Sequence, residues 1–209
     1  YVLDHATDIG EVITAAPSLH QMTADFQGVE AHAGLVPEAG RSAIAVAARA
    51  IDSMELGRLD EGTTANVGMI EGGTSTNVIP GSCRIHGEAR AVEPGRVAEV
   101  IAAMSDACVW AASEAGCEVD IVTREVFRGY RLPEDSPALT IAELALKDQG
   151  IEPKRVATGG GSDANVFIKA GFDSVLLANG TYGNHTSSES VPQANLGVML
   201  EVCEAILVE

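Results

Sequence analysis

Ser82-Cys83-Arg84-Ile85-His86-Gly87-Glu88-Ala89-Arg90-Ala91-Val92 alternates along its whole length, with Cys83, Ile85, Gly87, Ala89 and Ala91 on one side and Ser82, Arg84, His86, Glu88 and Arg90 on the other. Period two is the signature of a strand with one buried face. After Pro94, read as the first helical position, Val97, Ile101, Met104, Cys108 and Ala111 recur at helical spacing, and Gly116 closes the stretch. A strand followed by a strongly amphipathic helix therefore occupies 82–116, and the neighbouring sequence repeats the pattern. Upstream, His20, Met22, Ala24 and Phe26 alternate with Gln21, Thr23, Asp25 and Gln27, and Gly28 ends the run. A helix with Ile44, Ala47 or Ala48, Ile51 and Met54 on one stripe follows, closed by Gly57. Ala65 to Ile70 alternates again, with Val67 and Met69 expected on the same side, and Glu118 to Val126 supplies a fourth strand. The order β-α-β-β-α-β predicts a ferredoxin-like unit over residues 20–129, two helices on one face of a four-stranded antiparallel sheet.

The flanks read differently. Tyr1-Val2-Leu3-Asp4 is the end of a strand, and Glu11 to Ala16 is a second strand stopped by Pro17. Beyond Pro133 come a helix from Ser136 to Gln149, a strand from Arg155 to Thr158, a short helix through Lys169, and a strand ending at Ala178. A last helix, about Val191 to Leu207, carries Leu196, Met199, Val202, Cys203 and Ile206. Such β-α alternation predicts parallel-type βα units of an α/β layer. The expected organisation is residues 1–19 and 130–209 in one α/β domain, with 20–129 inserted. With so few strands, that layer reads as incomplete.

Composition narrows the function classes. The 209 residues are 46% apolar and 4% aromatic, with 30 Asp and Glu against 13 Lys and Arg, a formal charge of −17. This balance argues against nucleic acid or an anionic membrane surface as a partner. No run of 18 apolar residues is present, so no membrane-spanning helix is expected. Cys83, Cys108, Cys117 and Cys203 are scattered without a Cys-x-x-Cys pair, which fits reduced thiols and a cytoplasmic setting.

One stretch of the α/β part looks like a site. Thr158-Gly159-Gly160-Gly161-Ser162-Asp163 is a glycine turn entering a helix, and Asn179-Gly180-Thr181-Tyr182-Gly183-Asn184-His185-Thr186-Ser187-Ser188-Glu189 follows the next strand. A loop histidine one βα unit after a glycine turn is a common way for α/β enzymes to build a site. The plain alternative is a tight turn and a surface histidine. Asp4, at a strand tip, is either a ligand or an Asx turn.

Six phrases then fall in one order: Ala31-His32-Ala33-Gly34; Gly72-Gly73; Asn77-Val78-Ile79-Pro80; Glu88-Ala89-Arg90; Gly159-Gly160-Gly161-Ser162-Asp163; and Gly183-Asn184-His185-Thr186-Ser187-Ser188-Glu189. In this order and over essentially the whole chain, the sequence resembles the co-catalytic zinc metallopeptidases that include peptidase T, carboxypeptidase G and the aminoacylase and desuccinylase amidohydrolases. Its spelling is nearest the peptidase-T-like branch. The resemblance implies part of a zinc-peptidase catalytic domain with an inserted ferredoxin-like lid that pairs with a second subunit as a homodimer. Two zinc ions are implied, with cobalt or manganese as substitutes.

By the same resemblance, Asp4 and His185 would be metal ligands. His32 would reach a partner subunit's site and stabilise the oxyanion. Asn77 and Arg90 would bind substrate, Arg90 through a carboxylate, and Gly160 and Gly161 would lie beside a substrate end. For Arg90 the residue-level alternative is an ion pair with Glu88 on the same face. The family's His-x-Asp and Glu-Glu elements have no match, and the second of these carries the general base. They are expected upstream of Tyr1, since the chain starts without Met, and the chain alone is expected to be inactive. The readings are thus part of a zinc exopeptidase cleaving the N-terminal bond of short peptides in a tripeptidase-like manner, an N-acyl or N-carbamoyl amino acid amidohydrolase on the same scaffold, or a non-catalytic dimerisation module.

Overall fold

A computed structural model describes residues 1–208. The chain opens with β1 (Val2–His5) and β2 (Glu11–Ala16), and then enters β3 (Ser18–Gln27), β4 (Ala31–His32), α1 (Ala43–Asp52), β5 (Gly57–Asp60) and β6 (Thr63–Gly72). There follow β7 (Val78–Ile79), β8 (Ser82–Ala91), α2 (Arg96–Ala115), β9 (Glu118–Phe127) and β10 (Tyr130–Arg131). The last part holds α3 (Pro137–Asp148), β11 (Lys154–Ala157), α4 (Asp163–Lys169), β12 (Leu176–Ala178) and α5 (Gln193–Val208). Residues 18–126 form one unit, and 1–17 with 127–209 form another.

In the unit 18–126 the sheet runs β5-β6-β8-β3-β9. β8 is central, antiparallel to β3 from Ser18↔Ala91 to Gln27↔Ser82 and antiparallel to β6 on its other side. Without β5 this is the strand order of the ferredoxin-like sandwich. The alternating side chains sort as expected. Cys83, Ile85, Ala89 and Ala91 join Met22, Ala24 and Phe26 in a core against Val97, Val100, Ile101, Met104, Cys108 and Ala111 of α2. Phe26 and Ile85 are fully buried, and burial of such side chains stabilises by about 1.5–3 kcal/mol each. Gly87 lies under α2 because a Cβ there would sit 2.9 Å from Met104 Cε and 3.0 Å from the Asn66 carbonyl oxygen.

Three local expectations fail in this unit. Pro94 is not the first helical position; α2 begins at Arg96 behind Gly95, whose φ of 83° is left-handed. On α1 Ala47 is buried, and Ile51 and Met54, the latter just past its end, pack partly against the core as expected, but Ile44 is exposed and the buried stripe is Ala43, Val46, Ala47 and Ala50. Small alanines let the helix approach the sheet closely, and a hydrophobicity pattern does not distinguish them from the larger side chain beside them. Val67 and Met69 point to opposite faces. Val67 pairs with Gly87 but Met69 pairs with His86, because the register shifts at Gly68. One extra residue in a strand inverts the parity of everything after it. The short hairpin strand β5 was also not anticipated.

The unit 1–17 with 127–209 is a mixed sheet rather than a purely parallel one. β12 is parallel to β1 and antiparallel to β2, β11 is parallel to β2, and β10 is antiparallel to it. β2 must reverse because the turn at Asp8-Ile9-Gly10 is too short for a crossover, and Gly10 takes φ 112° there. One face of β2 packs Val12 with Leu177 against Leu139, Ala142 and Leu146 of α3 and Val202 of α5. The other packs Ile13 and Leu176 against Ala164 of α4. Ser136 caps α3 by accepting from the Leu139 N–H (3.2 Å), and the Asp173 carboxylate accepts from the Ser136 hydroxyl (2.7 Å) and the Ala138 N–H (2.9 Å). On α5, Met199 and Val202 turn inward as expected, but Leu196 is exposed. All four cysteines are free, with Cys83 and Cys108 buried. Among the described residues, no helix is long and apolar enough to cross a membrane.

Candidate functional site

In the unit 1–17 with 127–209, the site begins with two adjacent parallel strands. β1 and β12 pair from Val2↔Leu176 to His5↔Ala178, so their C-terminal ends lie side by side. Asp4 is exposed near the end of β1, and the loop carrying His185 leaves the end of β12. Crevices outside the carboxyl ends of strands are where α/β sheets bind ligands. The loop continues the pairing past the strand: Asn179 N–H donates to the His5 carbonyl (2.9 Å), and Gly180 N–H to the Thr7 carbonyl (3.0 Å). Asn179 Nδ2 also donates to the Leu3 carbonyl (3.2 Å), while its Oδ1 accepts from the Thr181 hydroxyl (2.7 Å).

Further along, Tyr182 and Ser190 exchange backbone bonds of 2.9 and 3.0 Å, closing residues 183–189 into a small loop. At its tip, His185 has φ 63° and is the one described non-glycine residue with positive φ. Its N–H donates to Glu189 Oε2 at 3.3 Å, so Glu189 orients the turn. A side chain held in this region carries conformational strain, and such strain clusters at functional sites. Beside Asp4, His5 is half-buried; burial lowers its pKa, with Glu11 and then Asp4 acting in the opposite direction.

The glycine turn has local reasons for its sequence. Gly160 N–H donates to Thr158 Oγ1 (3.1 Å), and a Cβ on Gly161 would sit 2.2 Å from Cζ of the Phe127 ring. Ser162 is the N-cap of α4, accepting from Ala164 N–H at 3.2 Å and donating its own N–H to Asn165 Oδ1 at 3.1 Å. Asn165, which the sequence did not single out, is 2% exposed and donates through Nδ2 to the carbonyls of Arg128 (2.8 Å) and Pro17 (3.4 Å).

In the unit 18–126, β4 and β7 form a two-stranded sheet with His32↔Val78 in register. Ala33 N–H donates to the Asn77 carbonyl (2.9 Å), which brings His32 and Asn77 together from 45 residues apart in sequence (77 − 32). Asn77 Oδ1 accepts from the Ser75 hydroxyl (2.6 Å). Gly34 N–H donates to His32 Nδ1 (3.2 Å), so in the neutral ring the proton is on Nε2, which is then a donor. The segment after it is exposed, Leu35 by 75%. Arg90 lies on the sheet face opposite the helices, where its Nε donates to Glu88 Oε1 at 2.9 Å. Both side chains are about one-third exposed, so this ion pair is of the weak surface kind.

Carboxylate and imidazole are suitable zinc donors, and Asp4 and His185 fit as members of a ligand set. They do not complete one: among the described residues, no group of three or more His, Cys, Asp or Glu is placed to hold a metal ion.

Residues 14–115 match the family profile of the peptidase dimerisation domain. These residues belong to that peptidase domain family. The chain is similar over 98% of its length to the aminopeptidase PepT of Bacillus cereus (37% identity, TM-score 0.88) and to a tripeptidase of Staphylococcus aureus (31% identity, TM-score 0.93), covering 55% and 54% of those chains. Among curated proteins it is 37% identical over its full length to YqjE of Bacillus subtilis, and 30% identical over 199 residues, 88% of its length, to an acetylornithine deacetylase of Myxococcus xanthus. It covers 56% and 49% of these, so the chain spans about half the length of the curated relatives it matches. The family and the α/β fold with its ferredoxin-like unit thus agree with the sequence motifs, and the family's enzymes are hydrolases, peptidases or deacylases.

Proposed function

We propose that this chain is part of a zinc-dependent exopeptidase that releases the N-terminal residue of short peptides. The observation that carries this reading is His185, held at φ 63° in a loop hydrogen-bonded to the strand end that bears Asp4. The similarity to a PepT aminopeptidase and to a tripeptidase supports it. Asp4 and His185 would hold metal through carboxylate oxygen and imidazole nitrogen, together with ligands from outside these residues. Bound zinc, or cobalt or manganese in its place, supplies an acidified water and polarises the scissile carbonyl. The remaining roles fall to this chain's own groups. His32, its Nδ1 occupied by Gly34, presents Nε2–H to the carbonyl oxygen of a substrate held by a second subunit as that oxygen gains charge. Arg90 holds a substrate carboxylate through the planar guanidinium, Asn77 donates to the substrate backbone, and Gly160 and Gly161 line the substrate end.

A homodimer follows from the same reading, and the two edges of the ferredoxin-like sheet differ in suitability. β9 carries Glu118, Asp120, Arg124 and Glu125, the charge pattern of a protected edge. β5 pairs with β6 only at residues 63–65, leaving Val67–Gly72 with exposed Met69 and Ile70. Strand pairing between subunits is assigned to that stretch of β6. Light scattering should give a dimer at micromolar concentration, and Ile70→Arg should convert it to monomer; a wild-type monomer removes the assignment.

The likeness to acetylornithine deacetylase favours a second reading, an N-acyl or N-carbamoyl amino acid amidohydrolase. A non-catalytic dimerisation module is the third. Full-length protein carrying these residues, assayed on free tripeptides and on N-acetyl amino acids, separates them. Cleavage of tripeptides supports the exopeptidase, cleavage confined to acylated substrates supports the second, and absence of zinc and of both activities supports the third. The 209-residue chain alone is expected to be inactive on either class.

A further inference from the structure

We propose that Tyr182 and Asp8 form a clasp that positions the His185 loop against the end of β1. Tyr182 Oη donates to Asp8 Oδ1 at 2.7 Å. Asp8 lies in the turn four residues after Asp4, and Tyr182 lies three residues before His185, so this one bond joins the carriers of both candidate ligands. Backbone pairing between the two segments stops at Gly180, whose N–H reaches the Thr7 carbonyl. Beyond it the loop turns on itself: the Tyr182–Ser190 bridge closes the base, Thr186 donates to the Gly183 carbonyl, and Glu189 accepts from His185 N–H. These bonds shape residues 183–189 but do not fix the small loop relative to β1.

The root is tied to β1 by Asn179 Nδ2 donating to the Leu3 carbonyl (3.2 Å) and to the loop by the Thr181 hydroxyl donating to Asn184 Oδ1 (3.2 Å). Two further contacts reach it from outside. Asn195 Nδ2, at the start of α5, donates to the Gly180 carbonyl at 2.9 Å, and the Tyr182 phenol reaches Asp8. The first holds the loop's root and the second holds its base on the side of Asp4. A left-handed His185 is a conformation that persists only when its surroundings over-determine it. Partners outside the ligand shell that orient metal-binding side chains typically change affinity by 10- to 100-fold when removed. Tyr182 and Asp8 are therefore positioning residues, with no part in the chemical step. The inference rests on the reading of His185 as a ligand.

The test uses full-length enzyme loaded with cobalt or zinc, with metal affinity measured by chelator competition and ligand geometry by the cobalt visible spectrum. Tyr182→Phe and Asp8→Ala should each weaken binding about tenfold and alter the spectrum, and the double variant should be no weaker than either single one. Asp8→Asn, which keeps an acceptor oxygen at the same place, should restore most of the affinity. His185→Ala is the control for the underlying reading. If His185→Ala leaves affinity unchanged, the ligand assignment is wrong. If it releases metal while Tyr182→Phe and Asp8→Ala bind like wild type, the clasp alone is overturned.

A metal-free readout guards against misfolding. In the 209-residue chain, Tyr182→Phe should speed hydrogen exchange in residues 183–189 and leave β12 and α5 unchanged; unaltered exchange in the loop also overturns the clasp.

Discussion

The two units bury their apolar residues in different ways, one in a single core and the other on both faces of a sheet. Residues 18–126 gather their buried side chains in one place: both helices lie on one sheet face, and Phe26, Ile85, Met104 and Cys108 meet in a single core. The other unit leaves large side chains in water. Leu196, Leu200 and Leu207 step along one side of α5, 58%, 60% and 86% exposed, and Phe167 on α4 and Phe172 just past its end are exposed as well. α5 thus has an inward face built on Met199 and Val202 and an outward face that is equally apolar. Both units thus present apolar surface of the kind that contacts usually cover, Leu35, Met69, Ile70 and Trp110 in the first and the outward face of α5 in the second. The candidate metal ligands lie in the second, and the candidate oxyanion and carboxylate groups in the first.

This contrast predicts how the units respond to perturbation. The largest effect belongs to Phe26→Ala. Truncating a fully buried aromatic costs about 3–5 kcal/mol, and hydrogen exchange should rise throughout β3, β8 and α2 while β2 and β12 stay protected. Uniform loss of protection in both units would show that they do not unfold separately. Gly161→Ala should act in the opposite unit by about 1–3 kcal/mol, because the added methyl must displace the Phe127 ring, and denaturant melts of the variant should show it.

Alkali gives a third comparison. Burial pushes the Cys108 thiol from its ordinary 9.0 up to about 11, and the Tyr130 phenol from 10.0 to about 12. A raised folded-state value contributes stability that is intact below the unfolded pKa and lost as pH rises through the folded one. The unit with Cys108 should therefore weaken between pH 9 and about 11, and the unit with Tyr130 between pH 10 and about 12. Thermal melts followed by unit-specific exchange, across that range, check the order. The smallest effect is expected at Leu200→Gln, within about 0.5 kcal/mol of wild type because the side chain is already in water. A large loss of stability in the isolated chain would mean that the outward face of α5 is covered.

Much of the fold was legible because two periods are hard to confuse over ten or more residues. The strand at 82–91 and the helix behind it define the ferredoxin-like unit almost alone. What escaped has physical causes. A bulge at Gly68 changes parity without changing composition, so Met69 landed on the wrong face. α1 packs through alanine, whose hydrophobicity is too weak to outvote a nearby isoleucine. The reversal of β2 depends on the length of one turn, not on any pattern within the strand.

The site was legible only through phrases. Nothing in the spacing of His32 and Asn77 reveals that a two-residue ladder would place them together, since strands that short have no measurable period. Asp4 and His185 stood out as candidates at a strand tip and in a strand-end loop, and only the phrases implied a metal role for them. Tyr182, Asp8 and Asn165 did not stand out, since ordinary polar residues become distinctive only when a partner distant in sequence is brought to them.

Ala16 and Tyr130 are register partners in adjacent antiparallel strands, and Asn165 grips the carbonyls of Pro17 and Arg128 just beyond them. The chain therefore leaves one unit and returns to it through neighbouring positions, as at the stem of a hairpin. Everything between could be exchanged for a short turn, or for another module with closely spaced ends, without rerouting either strand. In engineering terms the inserted unit is a cassette. The same stem would let one inserted module replace another while the surrounding sheet stayed as it was.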